Sequence, residues 1–177
     1  MFVRWSAAIA AAVLLSSPVM LQGASAADKP TDPQIAHIAY TAGTIDIAAA
    51  KQALARSHNK AVRDFAEEMV RDHKAVNDKA LALVKKLHVT PEANPTSAGL
   101  SKSAAATLNR LGHLHGRAFD RAYAENEVAY HRTVNGALST TLIPAASNSE
   151  LKSLLSTGLT LFKEHQTHAE HLVKEVK

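Results

Sequence analysis

The sequence predicts an all-α protein: a signal peptide, then one antiparallel four-helix bundle with a short extra helix in the crossover between the second and third long helices. Three observations favour this class. Alanine is abundant, whereas the 177 residues include only 7 Gly and 6 Pro, a helix-forming composition. Apolar residues recur at steps of three and four along four segments, as on the buried face of a helix. No segment of strand length alternates between apolar and polar residues.

The first 26 residues have the three parts of a secretory signal. Arg4 gives a basic start, residues 6–15 are apolar, and Ala-Ser-Ala at 24–26 is a small-residue cleavage site. We therefore expect residues 27–177 to form the bundle domain and the protein to be periplasmic or otherwise exported to the cell envelope. Ser-Ser-Pro at 16–18 interrupts the apolar run before the about 20 residues that a membrane span needs, so we expect no stable span after cleavage.

Charge and cysteine content narrow the classes of partner. The signal contains one of the 20 Lys and Arg and none of the 16 Asp and Glu, so the mature chain carries a net charge of +3. That charge is too small to indicate a nucleic-acid or lipid-surface partner. Because the chain has no Cys, its core must hold it together without disulfides. No motif indicates a protein partner or an oligomeric state.

Helices 1 and 2 are predicted on either side of a break at residues 57–59. Asp32 is the predicted N-cap of helix 1, because proline follows it at the first helical position. The predicted inward face of helix 1 consists of Ile38, Ala42, Ile45, Ala49 and Ala53. Helix 2 has the clearest pattern, with a seam at Val62, Phe65, Met69, His73, Val76, Ala80, Leu83 and Leu87.

The crossover, helix 3 and helix 4 follow. Two prolines predict a loop at residues 90–97, and a short helix is expected over about 101–111. Helix 3 is predicted to follow a bend at residues 112–116 and to end near Leu142, and its stripe is Phe119 or Tyr123, Glu127, His131, Val134, Leu138 and Leu142. After a turn at 144–150, helix 4 is expected to bury Leu151, Leu154, Gly158, Leu161, His165, His168, Leu172 and Val176.

The candidate site is a set of histidines on these seams. Helices 2, 3 and 4 contribute His73, His131 and His165, and helix 1 adds Asp46 beside its seam. Metal sites in bundles are built from inward side chains of facing helices, and imidazole and carboxylate ligands suit zinc, iron or copper. Counting from the turns puts Asp46 and His73 within about 4 Å in depth but His131 and His165 about 9 Å apart. Glu127, alone or with His131, is therefore a further candidate ligand.

Two other interpretations stay open. The histidines can instead complete a polar core in a non-catalytic envelope or stress-related bundle, hydrogen-bonded to Asp46, Glu127 or Tyr123 without any metal. A di-iron-type oxidase needs Glu-x-x-His on two helices. Here Glu68 lies five residues before His73 and Glu127 lies four before His131, so the spacing does not favour an oxidase. No nucleophile motif or phosphate-binding loop is present, and we do not expect an enzyme.

Most of the chain resembles a known bacterial family. The segments that carry the resemblance are residues 65–73 (FAEEMVRDH) with Asn77, residues 116–123 (GRAFDRAY) with Val128 and His131, and His165 with Ala169 and Leu172. They are similar to the ferritin-like family of domain of unknown function DUF4142, whose members are often labelled outer-membrane proteins.

The resemblance extends from about residue 32 to residue 172. It implies a ferritin-like four-helix fold and an envelope location, and it falls on His73, His131 and His165. The family typically has Glu at the place of Asp46, so this chain differs there by one methylene. The family supplies no established activity, since a ferritin-like fold does not by itself imply iron storage.

Overall fold

The computed structural model describes residues 29–176, so the predicted signal peptide lies outside the described residues. Within this range the chain contains helices and no strand, which confirms the all-α class. The helices are α1 (Asp32–Arg56), α2 (Lys60–Lys86), α3 (Pro95–Gly112), α4 (Gly116–Ala137), α5 (Ile143–Ala145) and α6 (Ser149–Glu175), and a π-helical segment, Leu138–Leu142, joins α4 to α5.

The start of α1 corrects the predicted cap. Thr31, in an extended conformation, is the N-cap, and its backbone N–H donates to the Gln34 side chain at 3.2 Å. Asp32 lies inside the first turn instead. Its carboxylate accepts hydrogen bonds from the backbone N–H groups of Ser147 and Asn148, both at 2.8 Å. The prediction of Asp32 as the cap is therefore wrong, and the residue ties α1 to the turn before α6.

Helix α3 is longer than the predicted short helix. It begins at Pro95 rather than near residue 101, because Asn94 caps it by accepting a hydrogen bond from Ser97 N–H at 3.0 Å. A proline at the first helical position needs no hydrogen-bond partner for its nitrogen, so Pro95 starts a helix where a loop is expected. Helix α3 packs along α1 and carries the chain from the end of α2 to the start of α4.

The four long helices α1, α2, α4 and α6 pack around a common core. Helix α1 packs against α2 and α4 against α6, while α2 with α6 and α1 with α4 close the ring. At one end the Lys86 ammonium lies 2.6 Å from a Glu150 carboxylate oxygen. We call this the Asp32 end, where α1, α3 and α6 begin and α2 ends. The opposite end, beside the break at residues 57–59, is the Ser57 end.

The inward faces of α6 and α1 match the predicted ones at most positions and differ from them at a few. Of the predicted α6 positions, Leu154 and Leu161 are half-buried and His168 is exposed. On α1, Asp46 takes the buried position expected for Ile45, which is half-buried. The side chains of α6 that point inward are Leu151, Leu155, Gly158, Phe162, His165, Ala169 and Leu172.

Among residues 29–176, no helix combines the length and the hydrophobicity that crossing a membrane requires.

Candidate metal centre

All five candidate ligands lie in the interior of the helical ring, midway between its ends. Asp46 comes from α1, His73 from α2, Glu127 and His131 from α4, and His165 from α6. None of the five is more than 2% exposed. The structure therefore brings together every side chain that the sequence singled out for this site.

The three imidazoles form a compact triangle. Their ring centroids are 5.6 Å apart for His73 and His131, 5.3 Å for His73 and His165, and 5.4 Å for His131 and His165. One nitrogen from each ring lies within 4.8 Å of the other two. The expected depth difference of about 9 Å between His131 and His165 is wrong. The figure of about 9 Å is counted from residue 145, near the start of the turn. Counted from Ser147, midway between the end of α5 and the start of α6, the difference is about 3 Å.

A carboxylate of α1 lies between two of these rings. Asp46 Oδ2 is 3.5 Å from His73 Nε2 and 3.6 Å from His131 Nε2. The Glu127 carboxylate is 3.8 Å from His131 Nδ1, and one atom each of Asp46, Glu127 and His131 also lie within 4.8 Å of one another. The five residues thus form two groups that share His131.

Hydrogen bonds at the periphery orient two of the histidines. His131 Nδ1 lies 3.0 Å from the backbone carbonyl of Glu127. His165 Nε2 lies 3.1 Å from Asp72 Oδ2, and Arg71 holds the same carboxylate at 2.7 Å. Each of these contacts requires the histidine nitrogen to carry the proton, which assigns the tautomer and leaves the other nitrogen as a free acceptor. Asp72 is thus a supporting group beside the site.

Phe162 is a neighbour of the site that the sequence analysis missed. Its ring stacks on His73 with centroids 4.6 Å apart and planes 8° from parallel. The predicted stripe of α6 passes through Leu161 instead. A stripe of four-residue steps from Leu151 to Leu155 and from Gly158 to Phe162 fits the helical period equally well and finds this ring.

Burial determines the protonation of the cluster. It lowers the pKa of His73 and His165 below the usual range and that of His131 to about 4, so the imidazoles are neutral at pH 7. Burial raises the pKa of Asp46 to about 7, and the adjacent Glu127 carboxyl group offsets part of this rise. Burial and the neighbouring Asp46 charge raise the pKa of Glu127 well above its usual range, so Glu127 holds its proton.

Many polar atoms here have no hydrogen-bond partner among the described residues. Buried donors and acceptors are normally paired, and each one left unpaired costs about 1–3 kcal/mol. The cluster concentrates such atoms where the helices face one another. They are Asp46 Oδ1 and Oδ2, His73 Nδ1 and Nε2, the Tyr123 hydroxyl, Glu127 Oε2, His131 Nε2 and His165 Nδ1.

Glu68, which an oxidase would require in the interior, lies elsewhere. Its carboxylate is 2.7 Å from His168 Nδ1 at the partly exposed edge between α2 and α6. With Asp72 and His165 it forms a second group of potential ligands, which shares His165 with the histidine triangle. Glu68, Asp72 and His168 already have partners in one another or in Arg71 and His165, which distinguishes this edge from the unpaired interior cluster.

Comparisons with known proteins bear on the family of the chain. No curated protein and no solved structure is significantly similar to it. One family model, described as Domain of unknown function (DUF4142), matches residues 17–172. This match agrees with the resemblance carried by segments 65–73 and 116–123. The chain is therefore a member of the DUF4142 family.

Proposed function

We propose that this protein binds one transition-metal ion, zinc, iron or copper, in its interior. The ligands are His73, His131, His165 and Asp46, and Glu127 lies beside them as a neutral carboxyl group. The observation that carries this proposal is the convergence of buried nitrogen and oxygen atoms that have no other partner. A metal ion accepts all of these lone pairs at once, which no single protein donor in the cluster does.

The chemistry of the donor set suits such an ion. Metal-binding histidines usually donate their second N–H to a carboxylate or a carbonyl, as His165 does to Asp72 and His131 does to the Glu127 backbone. The imidazoles are already neutral, as metal binding requires. A divalent cation also compensates the buried charge of Asp46 and favours its ionised form.

We also assign the chain a ferritin-like four-helix arrangement and an envelope location. The support for the arrangement is its single long crossover, from α2 through α3 to α4, which is the connection that distinguishes ferritin-like bundles from simple up-and-down ones. The support for the location is the signal pattern of the first 26 residues.

Metal analysis of untagged full-length protein, purified without chelators, tests the proposal. We expect about one equivalent of a single transition metal per chain. After removal of the metal, titration with zinc, ferrous iron or cuprous and cupric copper should raise the melting temperature, since a ligand at a hundred times its Kd stabilises by about 2.7 kcal/mol. His131→Ala should abolish this rise.

His168→Ala is the matched control. His168 lies on α6, only three residues from His165, but its side chain is 49% exposed and contacts Glu68, so its removal should leave the metal content and the metal-dependent stabilisation unchanged. Protein that contains no stoichiometric metal and melts at the same temperature with each added ion contradicts the proposal. In that case the non-catalytic bundle with a polar core is the better description.

That second function has an observation in its favour. His131 and His165 each make one hydrogen bond within the chain, as residues of a metal-free polar core would. It predicts that His131→Ala lowers the free energy of unfolding by about 1–3 kcal/mol, through partners left unpaired, equally with and without metal. Oxygen consumption with ferrous iron distinguishes both functions from an oxidase.

A further inference from the structure

A second feature of the interior is a cavity of about 790 Å³ between the histidine triangle and the Asp32 end. Its inner end is formed by His73, His131 and Phe162. Its volume lies in the range of about 300–1,000 Å³ that is typical of small-molecule sites. The volume alone therefore allows a ligand of drug or lipid size.

The cavity is elongated along the helices. On α2 its wall extends from His73 to Val84, and on α6 from Leu151 to Phe162. Eleven residues of helix correspond to about 16 Å, which accommodates an extended medium-length hydrocarbon chain. The long dimension thus runs parallel to the bundle and ends against the stacked rings of His73 and Phe162.

The walls of the cavity consist of side chains for which the helical pattern predicts a position in a packed core. Val76 and Ala80 continue the α2 seam beyond His73, yet they are only half-buried because both border the cavity. Leu154 on α6 is half-buried at the same wall. Each such apolar surface gains about 25 cal/mol per Å² when it is removed from water, so an apolar occupant is favoured.

Among the residues that the structure describes, the cavity wall includes one Lys, Arg, Asp or Glu side chain, Lys29, and it lies at the outer end. Lys29, Gln34, Asn94 and Thr96 contribute to the cavity where α1 and α3 begin, and Lys29 is exposed. Lys29 supplies a positive charge there, while the inner imidazoles are neutral. This distribution matches a molecule with a hydrocarbon body and one anionic end.

We propose that the cavity binds a fatty acid, with its hydrocarbon chain along the bundle axis and its carboxylate near Lys29. The small net charge of the chain argues against attraction to a lipid surface, but it does not bear on a single molecule enclosed in an apolar cavity. The fatty-acid site does not depend on the metal, because its polar end lies at the opposite end from His73 and His131.

Calorimetric titration of the full chain with sodium dodecanoate, below its micellar concentration, tests this site. We expect one molecule per chain and a negative heat-capacity change, the signature of apolar burial. Gly158 lines the cavity, and a Cβ there makes ordinary contact with the Phe162 ring at 3.4 Å. Gly158→Leu should therefore narrow the cavity beside Phe162, weaken dodecanoate binding by at least about tenfold and leave the protein folded, since leucine favours helix more than glycine does.

Gly99→Leu is the matched control, because Gly99 is also helical but has open space around it and does not line the cavity. It should bind dodecanoate as the wild type does. Lys29→Gln should weaken binding by about two- to fivefold, the range expected for an exposed ion pair. Failure of the wild type to bind, or equal affinity in wild type and Gly158→Leu, overturns the proposal. Repeating the titration with metal-free and metal-loaded protein separates this result from that of the metal proposal.

Discussion

The two ends of the bundle are packed in different ways. At the Ser57 end, small residues of α1 such as Ala50 and Ala53 are covered by Phe65, Phe119 and Tyr123, and all five side chains are fully buried. At the Asp32 end, α1 contributes the larger side chains of Ile35 and Ile38, but Phe162 is the one aromatic side chain in that buried cluster, and the cavity remains.

Because of this difference, we expect one end to contribute most of the stability and the other end to bind a ligand. Close packing is what makes a core stabilising, so the Ser57 end must supply most of the packing energy in a chain without disulfides. The Asp32 end retains space that a ligand can fill. The histidine triangle lies between the two ends, with the densely packed core on one side and the cavity on the other.

The largest expected effect comes from the same substitution made at both ends. Leu111 is fully buried in the Ser57-end cluster, and Leu155 lines the cavity with 5% exposure. Leu111→Ala should lower the free energy of unfolding by about 4 kcal/mol, because the removed atoms leave a new void in a dense core. Leu155→Ala should cost only about 2 kcal/mol, since its side chain makes fewer packing contacts beside an existing cavity.

Urea denaturation of both variants measures the difference. Equal losses of unfolding free energy in the two variants would contradict the proposed difference in packing between the ends. Saturating dodecanoate supplies the control, because it should enlarge the loss for Leu155→Ala, whose side chain contacts the proposed ligand, and leave that for Leu111→Ala unchanged.

The next effect concerns the Asp46 carboxylate, which lies between the two ends. In metal-free protein, the pKa of Asp46 is raised to about 7 from an ordinary value of 3.8. The folded state therefore binds a proton more tightly than the unfolded state does. The contribution of Asp46 to stability is fully present below about pH 4 and is lost as the pH rises through 7. Relative to Asp46→Asn, the wild type should lose on the order of 3 kcal/mol across this interval.

The isosteric variant is needed because other groups titrate in the same interval. His131, with its pKa lowered to about 4, has the opposite sign: its contribution rises with pH up to about 6.5. Subtracting the unfolding free energies of the two proteins at each pH isolates Asp46. A difference that does not change between pH 4 and 8 would show that Asp46 is not protonated in the folded state.

The sequence predicted the direction of the seams but not how closely they pack. On α2, Phe65, Met69 and His73 are buried as expected, whereas Val76 and Ala80 are half-buried. Periodicity identifies which face of a helix points inward. It does not indicate whether the side chains of the facing helix are large enough to reach that face, which is the property that distinguishes the two ends.

The other errors arise where two local structures fit the sequence pattern about equally well. Pro95 ends a helix in most contexts but starts one when a cap such as Asn94 precedes it. On α6, Leu154 and Leu155 are both apolar at compatible positions, and contacts with α2 and α4 decide between them. The burial of the candidate ligands was predicted correctly because a histidine on a seam is chemically distinct from its neighbours. The depth of His165 was not predicted correctly, because the result depends on the residue of the turn from which the depth is counted.

The smallest expected effect is that of Asp32→Ala. It tests whether the hydrogen bonds of Asp32 stabilise the Asp32 end alone. Asp32 accepts two backbone hydrogen bonds from the turn before α6, so Asp32→Ala should cost about 1 kcal/mol. Because the end is loosely packed, this loss should be local: hydrogen exchange should accelerate at the start of α6 and not at the Ser57 end. Lys60→Ala is the control, since it breaks an exposed pair with Asp64 at the Ser57 end and should change neither. Acceleration throughout the molecule would mean that the two ends unfold as one unit, and that the difference in packing between them does not divide the stability of the bundle.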